Sequence, residues 1–204
     1  YEISCSLVGS EMCIRDRNGT IIMPGETFSY NQVVGKRTID AGYKEAGAYA
    51  GGKVIQEIGG GICQVSSTLY NAVLYADLEI VERSNHYFET SYVTAGRDAT
   101  VSWGTVDFKF KNNRTYPIKI EAVAKNGINK ISILGIKEEK EYEIVIQSKV
   151  TSIIEQEIKY ENDYSIPYGE EEVEQQGHNG CTSKTYICLL YTSPSPRDCS
   201  SSRM

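Results

Sequence analysis

The sequence predicts an α+β fold, with an antiparallel sheet packed on one main helix that opens with Cys63, followed by a small extended all-β module. Three observations carry this. After Gly59-Gly60-Gly61 the apolar residues Val65, Leu69, Ala72, Val73 and Ala76 recur at three- and four-residue spacings, the period of one buried helix face. From Glu79 onward the period shortens to two and stays there through short turns. Asn126-Gly127, set between two alternating runs, is a hairpin signal. Strands joined by such turns pair antiparallel, and a sheet of that kind has a face on which the helix can bury its apolar side.

The two ends are set aside before the elements are placed. Cys188 to Asp198 (CLLYTSPSPRD) can be encoded by DNA whose reverse complement, in a shifted frame, reads LVGSEMCIRD, which is Leu7 to Asp16. Tyr1-Glu2 and Ser202-Arg203-Met204 stand in the same relation. An inverted DNA repeat bracketing a reading frame resembles translated sequencing-library adapter, so residues 1–17 and 188–204 are expected to be artefact rather than fold. What lies between divides into a domain at 18–137 and a partial β module at 141–187.

In order, Asn18 to Gly35 begins with an Asn-Gly turn signal, breaks at Pro24-Gly25 and reads as short strands and loops. Gly42 to Gly52, rich in Gly, Ala and Tyr, reads as a loop or irregular strand. The helix runs from about Cys63 to Asp77. Glu79 to Val93 reads as a strand pair or one long bent strand, with Ser84, His86, Phe88, Thr90 and Tyr92 on one face. Ala99 to Trp103 is a short strand, Val106, Phe108 and Phe110 alternate with polar residues, and Ile118, Ile120 and Ala122 share a face of the next strand. Lys130 to Ile136 completes the hairpin. The charge run Lys137 to Glu141 marks a solvated boundary. Beyond it, Tyr142 to Ile187 is strand-like with turns at Pro167-Tyr168-Gly169 and around His178.

Composition narrows the function. The chain carries 21 Lys+Arg and 27 Asp+Glu; setting the ends aside removes four of each and leaves 17 and 23, so the net charge stays at -6. With no basic excess, nucleic acid and anionic membrane surfaces are not expected partners. Of six cysteines only Cys63 and Cys181 remain, and with His86 and His178 they make no zinc framework. No metal or cofactor is implied, and the single disulfide candidate, Cys63 with Cys181, would join two apparent domains. No apolar run approaches the roughly 20 residues that span a bilayer, which leaves room for an anchor or signal peptide upstream.

Cys63 is the centre of the chemistry. At a helix N-terminus, unsatisfied N–H groups and the helix dipole favour a thiolate. Gly59, Gly60 and Gly61 present no side chains, so a substrate backbone could approach closely. A thiol nucleophile needs a base and the base an orienting group. His86 is the one histidine in the same domain, Asp98 or Asp107 can orient it, and Gln64 is a candidate oxyanion donor. The order of helix-opening Cys, strand His and following acid resembles the papain-like and transglutaminase-like thiol enzymes. A small buried core cysteine and a hydrogen-bonded sheet histidine fit the same residues.

NGTIIMPGETFSYNQVVG, GGGICQVSSTLYNAVL, SNHYFETSYV, GRDATV and DFKFKNN together resemble the VanW-like family over about Asn18 to Ile136. IPYGEEEVEQQGHNG and its surroundings resemble the G-five domain, a wall-associated module that often follows VanW-like domains. The resemblance implies an envelope or extracellular protein of a Gram-positive-type bacterium whose partner is peptidoglycan or its stem peptides. It implies no reaction. Two functions fit: a thiol amidase, peptidase or transpeptidase using Cys63, His86 and an acid, or a peptidoglycan-binding module in which Gly59 to Gly61, Tyr49, Tyr87 and Tyr92 shape a groove.

Overall fold

The computed structural model describes residues 2–6, 19–50, 53–125, 128–138, 142–162, 164–167, 169–173 and 177–191. The fold is mixed and rich in sheet, with few helices. A four-stranded antiparallel sheet has the order β1 (Glu2–Ser6), β9 (Ile128–Leu134), β8 (Ile118–Lys125), β2 (Ile21–Ile22). A three-stranded one has the order β3 (Thr27–Ser29), β7 (Lys109–Lys111), β6 (Glu79–Glu82). Two hairpins stand apart, β4 (Glu45–Ala50) with β5 (Lys53–Ile58), and β10 (Tyr142–Ile154) with β11 (Gly180–Tyr191). The strands expected to form one sheet are thus divided, because β7 pairs with β3 and β6 while β8 and β9 pair with each other. β1 falls in the segment read as adapter-derived, and its register along β9 runs from Glu2 opposite Ser132 to Ser6 opposite Ile128.

Helix α1 (Tyr30–Val34) is short and capped by Ser29, whose hydroxyl accepts from the Gln32 N–H. Helix α2 (Ile62–Tyr75) is the centre of the core. Val65, Leu69, Ala72 and Val73 are fully buried, beside Phe108 and Phe110 and the sheet residues Ile120 and Ile131. Phe28 stacks on Phe110 at 4.9 Å between centroids, and Tyr70 meets Phe108 edge-on at 5.6 Å. The expected apolar face is there, but it is only part of what α2 buries. Ser66, Ser67, Thr68 and Asn71 are buried as well.

Those polar residues read the backbone of a segment that the sequence assigns to a strand. Residues 97–101 are extended but join no sheet, touching one only through the isolated bridge of Thr100 to Ser84. Their partners are side chains of α2. Asn71 donates to the Arg97 carbonyl at 2.8 Å, Ser66 donates to the Ala99 carbonyl at 2.6 Å, and Ser67 accepts from the Ala99 N–H at 2.9 Å. Cys63 closes the series with a long 3.5 Å contact to the Val101 carbonyl. Residues 63, 67 and 71 lie about 6 Å apart along a helix, close to the roughly 6.6 Å between alternate residues of extended chain. Helix and segment are therefore in step.

Two further expectations are corrected. Gly42 to Gly52 contains a regular strand, paired residue for residue with Lys53–Ile58. Its small residues give no periodicity to read. Glu79 to Val93 is strand only to Glu82, and residues 85–93 are bends and turns. The reason is local: the His86 N–H, which a ladder would need, donates instead to the Asp98 carboxylate at 2.6 Å.

The hairpin β10–β11 meets the rest of the chain through Ile146, which packs against the core, and at the Gly96 loop. Thr185 donates to the Gly96 carbonyl at 3.1 Å, and a Cβ on Gly96 would lie 2.6 Å from that same hydroxyl. Gly96 also has φ +82, so the close approach and the backbone both require glycine. No helix among the described residues is long and apolar enough to cross a membrane.

Candidate functional site

The loop following β6 and the segment laid along α2 bring His86 and Asp98 together. His86 Nδ1 lies 2.7 Å from Asp98 Oδ2, the oxygen that also takes the His86 N–H. Arg83 grips the same residue from the other side, Nη2 donating to Asp98 Oδ1 at 2.8 Å and Nε to its carbonyl at 2.7 Å. Each carboxylate oxygen thus has a cationic neighbour. Asp98 is buried, and its hydrogen bonds fix both the position and the rotation of the imidazole.

Cys63 reaches this imidazole from the first turn of α2. Burial is the strongest single influence on His86 and opposes its charge, but hydrogen bonds with Asp98 and with Cys63, and the negative charge of both, raise its pKa from 6.5 to about 9. Asp98 is likewise opposed by burial, yet the His86 ring, the His86 N–H and the Arg83 charge hold it below the ordinary carboxylate range. At neutral pH the pair is imidazolium and carboxylate. Tyr92 completes the cluster, its hydroxyl 3.1 Å from His86 Nε2, with its pKa pushed upward by burial and by Cys63. Because a charged imidazole donates from both nitrogens, Nε2–H points to the Tyr92 oxygen and the Tyr92 proton is turned to another acceptor.

Asp107 is placed elsewhere. Its Oδ2 accepts from Ser29 Oγ at 2.6 Å, and its Oδ1 accepts from the N–H groups of Asn31 and Phe108 at 2.9 and 2.8 Å. It ties β3 and α1 to the chain before β7. The backbone N–H of Gln64 donates to the Gly61 carbonyl at 3.1 Å, so that donor is already engaged. Tyr87 is 94% exposed and leans on Phe88 rather than on the cluster. The Tyr49 side chain lies outside the described residues. Cys63 and Cys181 are both free thiols.

The glycines serve the chain itself. A Cβ on Gly60 would lie 2.2 Å from the Ala46 carbonyl oxygen, and one on Gly59 would lie 2.9 Å from Arg37 Cβ. The space expected for a substrate backbone beside these two is filled by β4 and by Arg37. Gly61 is the helix N-cap at φ 84, a left-handed position that glycine takes without strain. Sequence reasoning missed Arg83, Ser67 and Asn71 as supports of the site. The signal was available in the stripe Cys63, Ser67, Asn71, polar at every fourth position along one line of the helix. Among the described residues no group of three or more His, Cys, Asp or Glu side chains is arranged to hold a metal ion.

With this geometry in place, comparison with known proteins adds the following. Residues 10–134 match the family described as VanW like protein, and residues 145–188 match the G5 domain. The uncharacterized protein YoaR of Bacillus subtilis strain 168 is 55% identical over 102 residues, which is 50% of this chain and 34% of that protein. The vancomycin B-type resistance protein VanW of Enterococcus faecalis is 36% identical over 115 residues, 53% of this chain and 42% of that protein. The chain therefore spans less than half the length of these curated relatives. No solved structure gives a significant match.

Proposed function

This chain belongs to the VanW-like family, with a G5 domain following, and from that premise we propose a wall-associated protein that performs acyl transfer on peptidoglycan stem peptides through Cys63, His86 and Asp98. The observation that carries the chemistry is the 2.7 Å Asp98–His86 pair, set beside a cysteine in the first turn of a buried helix. The G5 domain is associated with the cell wall and supports the location, on the envelope or extracellular face of a Gram-positive-type bacterium. Asp98 orients the ring, and Cys63 supplies the nucleophilic sulfur, reacting as its thiolate. The thiolate sulfur attacks an amide carbon, and the imidazolium gives its proton to the leaving amine as the C–N bond breaks. The resulting thioester passes its acyl group to water or to a second amine, whose proton His86 takes up.

The competing reading is a peptidoglycan-binding module without chemistry. One observation favours it: the Tyr92 hydroxyl occupies the ring nitrogen that a thiol base would use. Iodoacetamide labelling of Cys63 at pH 6, in a Cys181→Ser chain spanning residues 18–187, separates the two. Acyl transfer requires rapid labelling, slowed at least about tenfold by His86→Ala, and a thioester mass on Cys63 after incubation with stem peptides. Slow labelling indifferent to His86, together with retention on purified peptidoglycan, would leave the binding module standing.

A further inference from the structure

Arg37 lies outside the cluster just described and is unusually placed for a cation. Its guanidinium carbon is 5.9 Å from the ring centroids of both Tyr30 and Trp103. One nitrogen, Nη2, donates to Asn31 Oδ1 at 2.8 Å. The other two, Nε and Nη1, are buried with no hydrogen-bond partner among the described residues, and no described carboxylate pairs with the group. Buried donors are normally satisfied, and leaving them bare is costly. A guanidinium fork is also the group best shaped to take a carboxylate through two parallel bonds.

The surroundings say where such a ligand would enter. Trp103 is 47% exposed and stands on the turn Ser102–Val106, beside Gly104 at φ +80. An open cavity of about 300 Å³ is lined by Asn31, Trp103, Gly104 and Asp107 among others. Arg37 is not itself a lining residue, but Asn31 accepts its hydrogen bond and the Trp103 ring lies between the two. The acidic wall of the cavity is already engaged, Asp107 by Ser29 and two backbone N–H groups and Glu82 by Lys109 at 2.7 Å. Arg37 is also near the thiol. Its Cβ and Cγ pack against Gly59, four residues before Cys63, and the Tyr30 hydroxyl, on the ring beside the guanidinium, donates to the Ile62 carbonyl at 3.4 Å.

From these contacts we infer that Arg37 is a receptor for the free carboxylate of a peptide, flanked by the Trp103 ring. The identity of the ligand as a wall peptide rests on the reading given above; the binding itself does not require Cys63 chemistry. Recognition through the guanidinium selects peptides with a free acid end over capped or cross-linked ones.

Trp103 is the one tryptophan in the sequence, so its fluorescence reports on this site alone. N-acetyl-alanyl-alanine and its C-terminal amide are titrated into the full chain carrying Cys63→Ala, which removes any turnover. The acid is expected to change Trp103 emission saturably and the amide to bind at least tenfold more weakly. Arg37→Gln should abolish the difference between them, and Arg37→Lys should keep part of it. Equal titration by acid and amide overturns the inference, whatever the labelling of Cys63 shows. If Arg37→Gln fails to fold, the acid-against-amide comparison in the Cys63→Ala chain decides alone.

Discussion

Among single residues, the choice between Asp98 and Asp107 shows where sequence stops. Both are acids after His86, and both are buried. Only three-dimensional closure separates them, since Asp98 faces His86 and Arg83 while Asp107 faces Ser29 and the N–H of Asn31, more than 70 positions earlier. Cys63 and His86 were legible as candidates, because each was the one residue of its kind in the domain. The raised pKa of His86 has a direct consequence for stability. A base whose folded pKa lies above its unfolded value stabilises fully below about 6.5, and loses that contribution as pH climbs through about 9. The change amounts to roughly 3 kcal/mol. Urea unfolding at pH 6 and at pH 9.5 should show that loss in the native sequence, and His86→Gln should flatten it; a slope unchanged by the substitution would contradict the pairing.

For the elements, the clearest lesson comes from the two ends of α2. Its start was legible from the glycine run. Its end was obscured, because the residue that turns the chain is not glycine. Asp77 has φ 52, with its N–H donating to the Leu74 carbonyl at 3.2 Å and the Leu78 N–H donating to Val73 at 3.2 Å. That is the Schellman arrangement, in which glycine is the usual occupant. Asp77 also puts a negative charge at the negative end of the helix dipole. Asp77→Gly should therefore stabilise the domain by about 0.5–1 kcal/mol, visible as a rise of a few degrees in Tm. A fall would mean that the carboxylate has a partner worth more than the strain. The segment 97–101 was misread for a related reason: period-two alternation reports extended backbone, and it cannot say whether the partner is a strand or a row of helix side chains.

At the scale of the whole molecule, hairpin signals and alternation placed most strands but not their partition among sheets. Pairing of β3 with β7 joins residues some 80 positions apart, which no local pattern encodes. The proposed boundaries can be checked directly. A chain of residues 18–187 should unfold cooperatively, with a urea slope matching the full chain after allowance for its size. Loss of cooperativity would show that β1, along the β9 edge, is a working part of the fold.

The contact between Thr185 and Gly96 gives the two modules a common fate. Gly96 stands two residues before Asp98, and residues 97–101 are held by the side chains of one helix rather than by a sheet. A shift of the hairpin against this loop is therefore felt two residues away, at the carboxylate that aligns the imidazole.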